Sequence, residues 1–123
     1  MAVSTTTATN PLVTTIVVDT DADLTVETAA GAAEYLYSVE IVNPNNTEAV
    51  YLHLINAASG SNVTTQHSSQ FYCPASSSTF YYMPAGYKTT TGIQFYVSTS
   101  AGGGNAATAP TDSVTVTLGF TPQ

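Results

Sequence analysis

The sequence predicts an all-β protein, a two-sheet antiparallel sandwich of the jelly-roll or Ig-like kind, with an extended N-terminal arm. Short runs of β-branched and aromatic residues recur at regular spacing, separated by segments rich in Gly, Pro, Asn and Ser. No ten-residue window shows the apolar spacing of a helix bounded by caps. This pattern favours a single domain of about seven or eight strands over residues 12–123.

The first eleven residues differ in composition from the rest of the chain. Residues 1–11 are rich in Thr and cannot bury enough apolar surface to fold alone. They are predicted to be either a disordered tail or an extended arm that becomes ordered on a partner, because β-branched Thr favours extended backbone. The candidate contact residues in this arm are Thr5, Thr6 and Thr7.

The strands of the first half follow from their alternation. A strand is expected over 12–18, a polar turn over 19–23, a short strand over 24–27 and a loop over 29–33. Residues 35–42 show period two, which places four side chains on one face, namely Tyr35, Tyr37, Val39 and Ile41. The next strand, 48–56, is apolar on both faces and is expected to be central. The turn formed by Asn43, Pro44, Asn45 and Asn46 predicts that these two strands form a β-hairpin.

The second half alternates loops with further strands. The loops are expected over 57–70, with room for a short strand at 63–65, and over 102–110, with a turn at 84–87. Strands are expected over 71–73, 79–83, 93–100 and 112–120. In the last strand, the residues expected to face inward are Val114, Val116, Leu118 and Phe120.

The surface implied by the composition carries few charges. The chain has one Lys and no Arg, 7% charged residues, 43% hydrophobic residues, 22 Thr and 12 Ser. Its formal net charge of −7 argues against nucleic-acid partners and anionic membranes, both of which select Lys and Arg. The N-terminus has neither the basic start nor the apolar core of a secretion signal, which predicts synthesis in the cytoplasm.

Few residues suggest chemistry. Asp19, Asp21 and Asp23 alternate as oxygen ligands for Ca²⁺ do, but the EF-hand pattern fails and a solvated turn is the simpler interpretation. His53 and His67 lie in different elements, and the chain has no cysteine pair to complete a zinc site. Cys73 is the single cysteine, and no nucleophile elbow is present. The sequence therefore predicts no enzyme activity, no cofactor and no metal.

The eight tyrosines point to contact surfaces instead. Tyrosine buries a large ring and keeps a polar tip, which suits protein interfaces as well as sandwich cores. Tyr81 and Tyr82 are adjacent, so in a strand they point to opposite faces. The interface candidates are Tyr51, Tyr81, Tyr82, Tyr87 and Tyr96. Sugars also stack on aromatic rings, so a carbohydrate- or receptor-binding module stays an open alternative.

The second half also carries a family resemblance. It begins with the 37–54 segment and its Asn-rich turn, followed by a long loop and an aromatic strand. Next comes the strand Gly92-Ile93-Gln94-Phe95-Tyr96-Val97-Ser98-Thr99-Ser100. After a loop of small residues, the pattern ends with Ser113-Val114-Thr115-Val116-Thr117-Leu118-Gly119-Phe120. Over residues 35–121 it resembles small β-sandwich structural proteins of tailed bacteriophages, especially marine and cyanobacterial phages.

The resemblance implies a virion component, most plausibly a capsid decoration or cement protein. Such a protein stabilises the head by binding the major capsid protein and copies of itself, as a dimer or trimer. It is expected on the capsid surface of particles assembled in the host cytoplasm. Tail and fibre proteins share similar sandwiches, which keeps the receptor-binding alternative open.

Overall fold

The computed structural model describes residues 3–7 and 13–123, and these form two antiparallel sheets that pack face to face. The five-stranded sheet has the order β1-β2-β9-β4-β7, and the four-stranded sheet has the order β3-β8-β5-β6. The strands are Val3–Thr7 (β1), Thr15–Asp19 (β2), Glu27–Ala30 (β3), Glu34–Asn43 (β4), Val50–Ile55 (β5), Ser69–Cys73 (β6), Ser77–Thr89 (β7), Ile93–Ser98 (β8) and Thr115–Pro122 (β9). The predicted two-sheet antiparallel sandwich is confirmed.

The core lies between the two sheets and comes from alternate residues of each strand. The side chains predicted to face inward on β9 and just before it are all buried: Val114, Val116, Leu118 and Phe120. They pack in one cluster with side chains from the opposite sheet, including Leu52, Leu54, Phe95 and Val97. Burial of each such side chain contributes about 1.5–3 kcal/mol, so this cluster is the main source of stability.

The alternation on β4 is interrupted by a β-bulge. The pairing register shifts between Leu36 and Ser38 against both neighbouring strands. Leu36 is buried before the shift, and Val39 and Ile41 are buried after it. The prediction that Tyr35 and Tyr37 share a face with Val39 and Ile41 is therefore wrong. A strict period of two cannot reveal an inserted residue.

The predicted hairpin between β4 and β5 is also wrong, because the two strands belong to different sheets. The buried side-chain amides of Asn43 and Asn46 stabilise the connection that crosses from the five-stranded sheet to the four-stranded sheet. Asn43 Nδ2 donates to the carbonyls of Glu48 and Pro74 (3.1 Å each), and Asn46 Nδ2 donates to Asn43 Oδ1 (2.7 Å). Asn46 also accepts the amide N–H of Asp112 (2.8 Å). The side chains that signal a turn thus tie three separate segments together. The expectation that β5 is a central strand is correct.

Two further boundaries differ from the predictions in the first half. The strand expected at 24–27 is displaced to β3, so the loop expected from Ala29 begins at Gly31. Asp23 Oδ1 accepts the Thr25 N–H (2.8 Å) and the Asp23 carbonyl accepts the Val97 N–H (2.8 Å), which hold this segment in a bend. The strand expected at 12–18 begins at Thr15, and Leu12 lies outside the described residues, as do arm residues 1–2 and 8–11.

The turn predicted at 84–87 is wrong, because strand β7 continues through these residues to Thr89. Leu36 pairs with Tyr87 and Ser38 with Tyr82, so residues 83–86 lie opposite Tyr37 as a wide irregularity. Gly86 has φ +80° there, and a Cβ at this position would sit 3.2 Å from the rings of Tyr35 and Tyr37. Pro84 is tolerated because β7 is an edge strand. Residues 63–65 form a turn, not a strand.

Candidate functional site: one open sheet face and one covered face

The outer face of the five-stranded sheet is open and almost free of charge. Two rows of side chains cross the whole sheet on this face, as the strand register shows. The first row is Ser4, Val18, Thr117, Glu40 and Phe80, and the second is Thr6, Ile16, Gly119, Ser38 and Tyr82. A shorter third row contains Val42, Thr115 and Ser78. We call these thirteen residues the open face, and Glu40 is their only charged member.

The open face ends in two exposed aromatic rings. Phe80 is 61% exposed and Tyr82 is 51% exposed, and both belong to the edge strand β7. A large apolar ring in water is unfavourable, so exposed aromatic residues that lie together mark a contact site more often than isolated ones do. Val13 adds to this face, because it packs over Gly119, where a Cβ would meet its Cγ1 at 3.1 Å.

Over β8 and most of β5, the outer face of the four-stranded sheet is covered by two loops, 56–68 and 99–110. The Tyr96 hydroxyl and the Gly104 N–H both donate to the Val63 carbonyl (3.4 and 2.7 Å). Ser61 N–H donates to Gln94 Oε1 (3.2 Å), which attaches the first loop to β8. Every residue of β8 is consequently buried. The two outer faces of the sandwich thus differ sharply in exposure.

His53 lies beneath these loops without solvent exposure. Its ring stacks on Tyr96 with centroids 4.5 Å apart and meets His67 edge-on at 4.8 Å. The Ser98 hydroxyl donates to the Ser100 carbonyl (2.7 Å), so it accepts from His53 Nε2 (2.8 Å). His53 Nδ1 then has no hydrogen-bond partner among the described residues. Burial and the neighbouring His67 lower the pKa of His53 to about 4.

The Ser98–His53 pair does not form a catalytic arrangement in this conformation. Both side chains are fully buried, and the single hydroxyl proton of Ser98 is held by the Ser100 carbonyl. A nucleophilic serine needs its base to accept that proton and a substrate to reach its oxygen. The pair instead anchors the 99–110 loop to the sheet.

The three aspartates considered as cation ligands differ in burial and in their hydrogen-bond partners. Asp19 is fully buried, its Oδ1 accepts the Asp21 N–H (3.0 Å), and its Oδ2 has no hydrogen-bond partner in the described part of the chain. Asp21 is exposed, and Asp23 holds the Thr25 amide. Within residues 3–7 and 13–123, no three His, Cys, Asp or Glu side chains are grouped as metal ligands.

Asp19 is nevertheless electrostatically unusual. Burial, first, and then the nearby carboxylates of Glu27, Asp23 and Asp21 raise the pKa of Asp19 to about 6, against the hydrogen bond from the Asp21 amide. No lysine or arginine other than Lys88 exists in the sequence to offset these charges. Asp19 is therefore a buried acid that takes up a proton as the pH falls through about 6.

The interface candidates from the sequence are dispersed over the molecule. Thr5 and Thr6 lie exposed on β1, Thr7 ends that strand, and Tyr82 belongs to the open face. The other candidate tyrosines are half-buried or buried. Tyr51 pairs with Tyr72 (5.4 Å), Tyr81 donates to the Tyr72 carbonyl (2.5 Å), Tyr87 packs against the core, and Tyr96 is 1% exposed beneath the loops.

Phe80, Glu40 and Thr117 belong to the open face although the sequence did not single them out. They become neighbours only because β4 lies between β7 and β9, a pairing between distant segments. A usable signal was the alternation of Phe80 and Tyr82, which puts both rings on one side of β7.

The chain matches no family model and no curated protein. The phage resemblance therefore stays a prediction. In the part of the chain that the structure describes, no helix has the length and apolar character needed to cross a membrane.

Proposed function

We propose that this protein is a structural component of a larger assembly, attached through the open face of its five-stranded sheet. In the setting that the sequence resemblance implies, it is a decoration protein on a phage capsid, and the open face binds the major capsid protein. The observation that carries the proposal is a sheet face of thirteen residues that carries a single charge in a chain of net charge −7.

The chemistry of that face favours permanent contact with protein. Hydroxyl groups need only hydrogen bonds when they are buried, whereas an unpaired charge costs several times more. Thr117 and Ser38 supply such groups in the middle of the face, and Ile16, Val18 and Phe80 supply apolar area around them. Glu40 is the one charged group of the open face, and its carboxylate needs a cation or strong hydrogen-bond donors from the partner.

The number of copies on a capsid compensates for modest contacts. A repeating lattice multiplies weak binding into stable attachment, because neighbouring copies hold each other at high local concentration. A compact domain with one open face and one covered face suits this role, since only the open face needs to meet the shell.

The proposal is tested by a matched pair of charge variants. Thr117→Lys places a cation in the centre of the open face, beside Glu40. Because the carboxylate of Glu40 lies next to the new ammonium group, we expect the domain to stay folded. Gln70→Lys places the same charge on β6, an exposed position of the other sheet. We expect Thr117→Lys to reduce occupancy on purified particles at least tenfold and Gln70→Lys to leave it unchanged. Equal occupancy of both variants contradicts the proposal.

A second candidate is a carbohydrate-binding module, favoured by one observation. Tyr72 is 46% exposed and lies beside Tyr51 on the outer side of β5 and β6, with ring centroids 5.4 Å apart. Sugar rings stack on exposed aromatic residues of this kind. A glycan array that is positive for the wild-type domain and negative for Tyr72→Ala supports this candidate, and an array without signal removes it.

A further inference from the structure

We propose that a second copy of this chain binds along the edge strand β7, in an antiparallel arrangement about a twofold axis at Phe80. The two five-stranded sheets then join into one sheet of ten strands. Phe80 of one copy faces Phe80 of the other, and Tyr82 faces Ser78. This inference concerns contact between copies and does not depend on what the open face binds.

The edge of β7 is available for pairing. Among the described residues, no strand pairs with β7 on the side away from β4. Proteins commonly protect such edges with charged side chains, but residues 77–87 contain none. Pro84 and the irregular stretch 83–86 limit regular pairing to the residues around Phe80, 78–82, with Ser77 and Met83 at its margins. Alternate residues of this stretch direct their backbone N–H and C=O groups away from β4, and these unpaired groups are available to a neighbouring strand.

The sequence of this stretch is complementary to itself in size. With Phe80 on the axis, the small residues before it lie opposite the large residues after it. Ser77 faces Met83, Ser78 faces Tyr82 and Thr79 faces Tyr81, so no two large side chains other than the phenylalanines compete for the same space. Aromatic side chains that face each other across antiparallel strands stabilise the pairing.

Charge is complementary at the two ends of the same junction. Lys88, the only Lys or Arg of the chain, is exposed beyond one end of the pairing stretch. The other end leads into residues 74–76, where the Ser76 N–H donates to the Asn46 carbonyl (3.1 Å). The loop around Asn46 carries the exposed carboxylates of Glu48 and Asp112, which line a shared recess. Antiparallel pairing therefore brings each Lys88 towards the acidic loop of the other copy.

Repulsion between two copies of net charge −7 is limited at this edge. Strand β7 has no acidic residue, and the acidic segment between Asp19 and Glu27 belongs to β2, β3 and their connection, away from this edge. The contact area of one strand edge with two aromatic rings falls at the lower end of specific interfaces. We therefore expect a monomer–dimer equilibrium with a micromolar dissociation constant.

Sedimentation equilibrium of the purified chain tests the inference. Phe80→Glu places two carboxylates on the axis and is expected to raise the dissociation constant at least tenfold. Val3→Glu makes the same kind of change at an exposed apolar residue of β1, the opposite edge of the same sheet, and we expect it to leave the constant unchanged. Circular dichroism confirms that each variant is folded.

A charge exchange tests the orientation and does not depend on Phe80. Lys88→Glu is expected to weaken dimerisation, and adding Glu48→Lys in the same chain is expected to restore it. A chain that stays monomeric at several hundred micromolar, or a dimer that neither Phe80→Glu nor Lys88→Glu weakens, overturns the inference. Because particles are absent from this experiment, its result is separate from that of the Thr117→Lys occupancy test.

Discussion

At the scale of single residues, two buried groups respond to pH in opposite directions. The pKa of Asp19 rises from 3.8 to about 6 on folding, so its contribution to stability is present below pH 3.8 and is lost as pH rises through 6. The pKa of His53 falls from 6.5 to about 4, so its contribution is present above pH 6.5 and is lost as pH falls through 4. Between pH 4 and 6 the pH slopes of the two contributions cancel, because folded and unfolded chains hold the same number of protons on this pair.

We therefore predict that single substitutions reveal opposite pH slopes. In Asp19→Asn only the His53 contribution is left, and the free energy of unfolding should fall as pH drops from 6 to 4, by up to about 1.4 kcal/mol per pH unit. In His53→Gln, which keeps a donor towards Ser98, the free energy should instead rise as pH drops. Urea denaturation at several pH values between 4 and 7 measures both slopes.

The wild-type chain is the reference for these slopes. Glu34 also has a pKa raised by burial, and it contributes equally to the wild type and both variants. Only the difference between the slopes of the variants and the wild type reports on Asp19 and His53. Parallel slopes for all three proteins would show that these two side chains titrate normally in the folded state.

At the scale of elements, the 99–110 loop depends on one glycine. A Cβ at Gly103 would lie 2.2 Å from the Tyr96 hydroxyl, and its φ is +66°. Gly104 also has a positive φ, +81°, but its Cβ would meet nothing within 4 Å, and Gly102 has neither constraint. The three glycines therefore separate backbone strain from steric contact within a single loop.

We predict a graded response to alanine in this loop. Gly102→Ala should be neutral, Gly104→Ala should cost about 1 kcal/mol from backbone strain, and Gly103→Ala should cost more because it also displaces the loop from Tyr96. Thermal unfolding measures the order of the three variants. Displacement should also expose His53, so NMR titration of its ring should give a higher pKa in Gly103→Ala. An unchanged pKa together with a neutral melting temperature contradicts this account of the loop.

The elements also show where sequence patterns are sufficient. Most strands and the inward face of β9 follow from local alternation, since one buried face imposes a period of two. The β4–β5 connection could not be predicted, because the partners of Asn43 and Asn46 lie at Pro74 and Asp112, far along the chain. The bulge between Leu36 and Ser38 has the same origin, since it is set by pairing with β9 and β7, which lie far along the chain.

At the scale of the whole molecule, the distribution of charge matters more than its total. The composition predicted a hydroxyl-rich surface with few charges. It could not show that seven of the eight acidic residues lie outside the open face. This separation of the acidic residues from the open face depends on strand order, which places β1, β2, β9, β4 and β7 side by side in one sheet. The assignment of the open face as the candidate site thus required the structure.

The N-terminal arm links this scale to the proposed role. In the described residues, Val3–Thr7 pairs with β2 as the outermost strand, and the side chains of Val3, Ser4, Thr5 and Thr6 are exposed. The strand therefore contributes backbone hydrogen bonds and little burial. Its removal would make β2 the new edge strand and would further expose Ile16 and Val18 of β2, which are half-buried.

Deletion of residues 2–11 should accordingly leave the domain folded but weaken its attachment. We expect a melting temperature lower by a few degrees, since a loss of 1 kcal/mol corresponds to about 4–8 °C in a domain near this size, and a reduced occupancy on particles. Thr5→Pro, which removes a backbone donor in the middle of the arm, should reduce occupancy in the same direction, whereas the isosteric Thr5→Val should not. Occupancy equal to wild type in both the deletion and Thr5→Pro would show that the arm takes no part in attachment, and the open face alone would then have to provide it.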